Sequence, residues 1–114
     1  AGRISGRIYR QVWAASMTDI EIHRLCAEAM HYAPIRTYKG YVTIGIDNIH
    51  YAPLHDDAQC MAMVKKLSIA VEKFPSRPWK ASRWDGRDWP EYYDENLNRA
   101  ACTCVAKMQQ ERQV

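Results

Sequence analysis

Apolar positions along the chain fall into three helical stretches separated by two strand-like regions. Thr18 and Glu21 form a T-x-x-E capping box, in which each side chain satisfies an orphan amide of the helix start. Met17 before the cap and Ile22 at the fourth helical position are placed as a hydrophobic staple. Ile22, Leu25, Cys26 and Ala29 then follow at i, i+3, i+4 and i+7, one apolar face. Pro34 predicts an end to this helix, because it disfavours helical geometry at Ala33. A second helix is predicted from Cys60, Met63, Val64, Leu67, Ala70, Val71 and Phe74, which repeat at helical spacing. Residues 54–57 supply its cap and an acid for its positive end. Lys65, Lys66, Glu72 and Lys73 fill its outer face, and Pro75 and Pro78 stop it. A third helix begins near Asp94 or Asn96, buries Leu97, Ala101, Cys104, Val105 and Met108, and frays into solvent over 109–114.

Between the helices the pattern changes to strand chemistry. Lys39-Gly40 and Asp47-Asn48 are turn signals, and Tyr41 to Ile44 with Ile49 to Tyr51 between and after them predict a hairpin. Trp79 to Trp84 reads as a strand, Asp85-Gly86 as a tight turn, and Arg87 to Tyr93 as a return confined to an edge or loop by Pro90. Two strand pairs can join into one antiparallel four-stranded sheet, with the three helices packed on its faces. The expected fold class is therefore α+β, an α/β/α layered sandwich.

The chain has the composition of one globular domain, 47% hydrophobic and 25% charged. No apolar run approaches the ~20 residues a membrane span requires, so a soluble protein is expected. The formal net charge of +3 changes little once its distribution is seen. Arg3, Arg7 and Arg10 carry that excess alone, and from Met17 onward acids and bases balance. Residues 1–16 also lack periodicity, and they stand just before a methionine and a strong helix start. They read as a basic arm or a non-native leader, with residues 17–114 the single α+β domain. The leader has no secretory apolar stretch, so Cys26, Cys60, Cys102 and Cys104 are expected as reduced thiols in a cytoplasmic protein.

Candidate chemistry concentrates in residues 77–93. Trp79, Trp84 and Trp89 recur every five residues, interleaved with Arg77, Lys80, Arg83 and Arg87. Tryptophan and arginine are enriched at protein-interface hot spots, and rings alternating with cations also suit single-stranded nucleic acid. A neutral domain weakens the second reading, because nucleic-acid affinity depends on counterion release at a basic surface. The partner-binding residues expected are Trp79, Arg83, Trp84, Arg87 and Trp89. His50, His55, Asp56 and Asp57 are the one place where acid–base groups gather in sequence, at spacing that suits a helix cap better than a metal. Cys102 and Cys104 point ~200° apart on a helix, since each residue advances ~100°. Cys104 is then core, and Cys102 lies toward the other side. No phosphate-loop, nucleophile-elbow, zincin or dinucleotide motif occurs. No catalysis, cofactor or metal is expected.

Two segments carry a family resemblance. Residues 51–58, YAPLHDDA, run into an alanine- and valine-bearing helix and resemble the Y-S-x-D-x-A entry of the phage ABA-sandwich family. Residues 97–106, LNRAACTCVA, resemble that family's closing helix, which typically reads L-A-I-C-x-A-A-L. The chain departs from the family pattern after the first helix, where Tyr32, Tyr38 and Tyr41 replace a tryptophan-rich stretch. The resemblance implies a phage or prophage origin, a host-cytoplasmic location and the layered fold, and it implies no molecular function. Together with the Trp/Arg hairpin it makes a non-catalytic accessory protein that binds a host protein the leading expectation. A nucleic-acid-binding module using the hairpin of residues 77–93 is the alternative, and a homodimer through an exposed sheet edge is compatible with either.

Overall fold

Each helix among the described residues starts on a side chain that takes up an orphan backbone amide. Thr18 Oγ1 accepts from the Glu21 N–H at 3.2 Å, Asp56 Oδ1 from the Gln59 N–H at 3.0 Å, and Asn96 Oδ1 from the Arg99 N–H at 3.0 Å. The computed structural model describes residues 17–84 and 86–112. The expected arm or leader, and Asp85 of the expected Asp85-Gly86 turn, lie outside them. The three capped helices are α1 (Asp19–Ala29), α2 (Asp57–Leu67) and α3 (Leu97–Arg112).

The strands correct the sequence-based fold. Among the described residues there is no single four-stranded sheet and no α/β/α sandwich: they form two separate three-stranded antiparallel sheets. The first contains β1 (Ile35–Tyr38), β2 (Tyr41–Ile44) and β3 (Ile49–His50), in that order. The second contains β4 (Ala70–Lys73), β5 (Trp79–Ser82) and β6 (Glu91–Asp94). The expected hairpins are β2–β3 and β5–β6, and each gains a leading strand. β1 pairs with β2 across the Lys39-Gly40 turn, from Ile35 opposite Ile44 to Tyr38 opposite Tyr41. β4 occupies the segment read as the end of the second helix. Ser68 is the reason: it caps α2 in the left-handed region at φ 55°, ψ 49°, and turns the chain into β4. Val71 therefore faces Ala81 across the sheet and does not extend the helical stripe.

The number of strands decides how the helices point. After each helix an odd number of antiparallel strands returns the chain to the end from which that helix set out, so the next helix runs the same way. Contacts between helices agree. Arg99 and Asp19, both in first turns, pair at 2.7 Å, and Asn98 Nδ2 donates to Asp57 Oδ1 at 2.8 Å. At the other end, Ala29, Leu67 and Met108 line one recess. All three helices are parallel, with their starts at one end of the molecule and their ends at the other.

α3 is the centre of this arrangement. It packs against α1, against α2 and against β5 and β6, and every residue from 100 to 106 is buried. Cys102 is buried as fully as Cys104, contrary to the expected outward position. The two thiols do point apart, but both sides of α3 are covered. Cys26 Sγ of α1 donates to the Cys102 carbonyl at 3.4 Å, while Cys104 lies toward Arg83 beyond the end of β5. The core is completed by Ile22, Leu25, Ile44, Tyr51, Met63 and Tyr92.

Ser68 is a non-glycine residue in the left-handed region, where an L side chain costs roughly 1–2 kcal/mol. Ser68→Gly is expected to stabilise the protein by up to about 1 kcal/mol, after the added freedom of the unfolded chain is subtracted. Ser68→Val is expected to destabilise it, and urea unfolding midpoints of the two variants check both signs.

Candidate functional site

The second sheet has two faces with different tasks. Val71, Trp79, Ala81 and Tyr92 fall on the face toward α3, and all pack on the core. On the opposite face Lys80 Nζ lies 3.3 Å from Glu72 and 3.9 Å from Glu91, and the Tyr93 hydroxyl donates to Glu91 at 2.6 Å. The tryptophan–cation alternation is thus divided: Trp79 lies inward, and Lys80 is held between two carboxylates.

The remaining candidates lie on the connection between β5 and β6, and the structure does bring them together. Trp84 and Trp89 are 49% and 51% exposed, and their ring centroids stand 5.9 Å apart at a tilt of 48°. Two large apolar rings half in water on one loop form a patch of the kind that marks an interaction surface. Trp84 and Arg87 line an open hollow of about 420 Å³ with Met108, Glu111 and Arg112 of α3. Met108 and Arg112 also line a smaller recess of about 130 Å³, whose other walls include Arg83, His31, Leu67 and Val105. The two spaces share Met108 and Arg112 as walls and together are termed the groove. Of the five expected residues, Arg83, Trp84, Arg87 and Trp89 belong to this surface and Trp79 does not.

Sequence reading missed the α3 side of the groove. Residues 109–114 were expected to fray, yet the helix continues to Arg112. The signal present was the i, i+4 spacing of Met108 and Arg112, which places both on one face of a helix that runs this far.

The histidine–aspartate cluster is dispersed. Asp56 caps α2, Asp57 accepts from Asn98, and His50 stands edge-on to Tyr41 at 5.7 Å on the first sheet. His55 turns instead to Asp19 at 3.5 Å and to the ring of His23 at 5.7 Å. Among the described residues, no group of three or more histidine, cysteine, aspartate or glutamate side chains is placed to hold a metal ion. All four cysteines are free and buried. Cys26, Cys60 and Cys102 come one from each helix. The Cys60 and Cys102 thiols are pushed well above their usual range by thiol hydrogen bonding and then burial, and Cys104 is pushed up to about 12 by burial. Thiols so far from their thiolate form are inert packing residues. Among the described residues, no helix is long and apolar enough to cross a membrane. The sequence matches no known family model and no curated protein.

His23 makes the buried end of this cluster sensitive to acid. Its Nε2 accepts from the Leu54 N–H at 3.4 Å, and burial first, then the neighbouring His55, lowers its pKa from 6.5 to about 4. Between those values the unfolded chain binds a proton that the folded one refuses. The stability from neutral His23 is therefore complete above pH 6.5 and lost as pH falls toward 4, a change on the order of 3 kcal/mol. Asp19, held below the usual carboxylate range by its hydrogen bond to Arg99, loses its contribution only at lower pH still. His23→Gln, whose carbonyl can accept from Leu54, is expected to flatten the fall in urea stability between pH 6.5 and 4.

Proposed function

We propose that this chain is a small phage-encoded accessory protein that acts in the host cytoplasm by binding a host protein, without catalysis. The observation that carries the binding reading is the exposed Trp84–Trp89 pair beside a groove rimmed by arginines. Both rings are half exposed, so each can bury on association roughly half of the ~150–250 Å² that a fully buried aromatic covers, and Trp and Arg are the side chains on which binding energy concentrates. The loop that bears them joins two strands of a sheet whose inner face is packed against α3. The resemblance of residues 51–58 and 97–106 to phage proteins supports the origin, and with it the choice of a host protein as partner. It supports nothing about the layering, which differs. Blocking a host enzyme or a defence complex is the role that fits such a protein.

Single-stranded nucleic acid is the weaker reading of the same surface. It needs rings and free cations in succession along a track, whereas Trp79 is packed inward and Lys80 is held by Glu72 and Glu91.

The test is capture of a host protein from nuclease-treated bacterial lysate by the tagged full chain. Trp84→Ala combined with Trp89→Ala is expected to weaken that capture by about a hundredfold, a loss of about 3 kcal/mol. Circular dichroism is expected to stay unchanged, because both rings are half exposed. Capture unaffected by the double variant sinks the assignment.

A further inference from the structure

We propose that the groove at the ends of the three helices receives an acidic peptide segment of the partner protein. One apolar side chain of that segment sits in the recess, and neighbouring carboxylates meet Arg83 and Arg112. The inference rests on the protein-binding reading of the Trp84–Trp89 surface and names what that surface recognises.

The recess supplies the first half of the specificity. Ala29, Leu67, Val105 and Met108 give it an apolar part, where α1 and α2 end and α3 nears its end, beside the polar His31, Gln109 and the two arginines. Its volume of about 130 Å³ is close to the ~150 Å³ that accommodates one benzene ring. A leucine or methionine side chain fills such a space.

The rim supplies the second half. Arg83 and Arg112 border the recess, and Arg87 borders the adjoining hollow beside Trp84, against one carboxylate, Glu111. Three other described arginines have a side-chain partner: Arg24 pairs with Glu28, Arg36 with Asn48, and Arg99 with Asp19. Among the described residues no ion pair involves Arg83 or Arg112. Neither is needed to satisfy the end of α1, because Lys66 Nζ donates to the Met30 carbonyl at 3.1 Å. Two guanidinium groups with no ion pair among the described residues, beside a partly apolar recess, suit carboxylates, which a guanidinium binds in bidentate geometry. An apolar anchor next to acids is the ligand that satisfies both halves at once.

The experiment is fluorescence anisotropy of the full chain with three labelled probes: a peptide alternating leucine and glutamate, the same peptide with glutamine for glutamate, and an oligothymidylate. The acidic peptide is expected to bind about tenfold or more tightly than its glutamine counterpart, and to weaken as salt rises. Arg83→Gln with Arg112→Gln is expected to remove that preference without changing the thermal midpoint. Ala29→Leu, which fills the recess, is expected to weaken both peptides alike. Equal binding of the two peptides, or preference for the oligothymidylate, overturns the proposal. If neither peptide binds while lysate capture still depends on Trp84 and Trp89, the acidic segment is overturned and the protein-binding reading stands. Loss of both removes both.

Discussion

The close contact between α1 and α3 is the interaction on which the rest of the molecule depends. α3 presents Ala100, Ala101, Cys102 and Ala106 where a helix more often carries leucine or isoleucine, and all are buried. Small side chains let helix axes approach, since the distance between packed helices is set by the residues at their contact. α3 can then be covered on one side by α1 and on another by the second sheet. The first sheet is attached through α1, and the groove is walled by the last turns of the same helices.

Parallel helices carry an electrostatic cost that the charge pattern offsets. Each macrodipole places partial positive charge at its start and negative charge at its end, so three aligned starts repel one another. Asp19 and Glu21 stand in the first turn of α1 and Asp57 in that of α2, while Lys65 and Lys66 close α2 and Arg112 closes α3. Arg99 is the exception, a cation in the first turn of α3. Asp19 neutralises it from the neighbouring helix, which makes that ion pair a correction of local charge as well as a tie between elements.

How much of this was legible in the sequence differs from element to element. The helix starts were, because Thr18, Asp56 and Asn96 act through contacts three residues away. So were β2, β3 and β5, where strand formers lie between turn signals. β1 was not, since Arg36, Thr37 and Tyr38 are exposed and leave no periodic trace. β4 was concealed by Ala70 and Val71, whose spacing continues the stripe of α2; the break lies in the backbone angle of Ser68, a residue with no strong preference for that role. Missing one strand in each region turned two triplets into two pairs. For the site, the exposed loop was legible in composition but its groove was not. Nothing in residues 77–93 reveals that α3 ends beside them, and Trp79 looks like its neighbours until the register of β5 turns it inward.

The pairing of α1 with α3 also sets an order of events during synthesis. Asp19 and Arg99 are separated by 80 residues, and Cys26 and the Cys102 carbonyl by 76. An apolar face carrying Ile22, Leu25 and Cys26 thus leaves the ribosome long before the helix that covers it. Contacts this distant in sequence slow folding, because chain closure precedes any gain from burial. The nascent chain holds α1 uncovered until α3 has been translated. An apolar face left uncovered for that interval is open to non-native association.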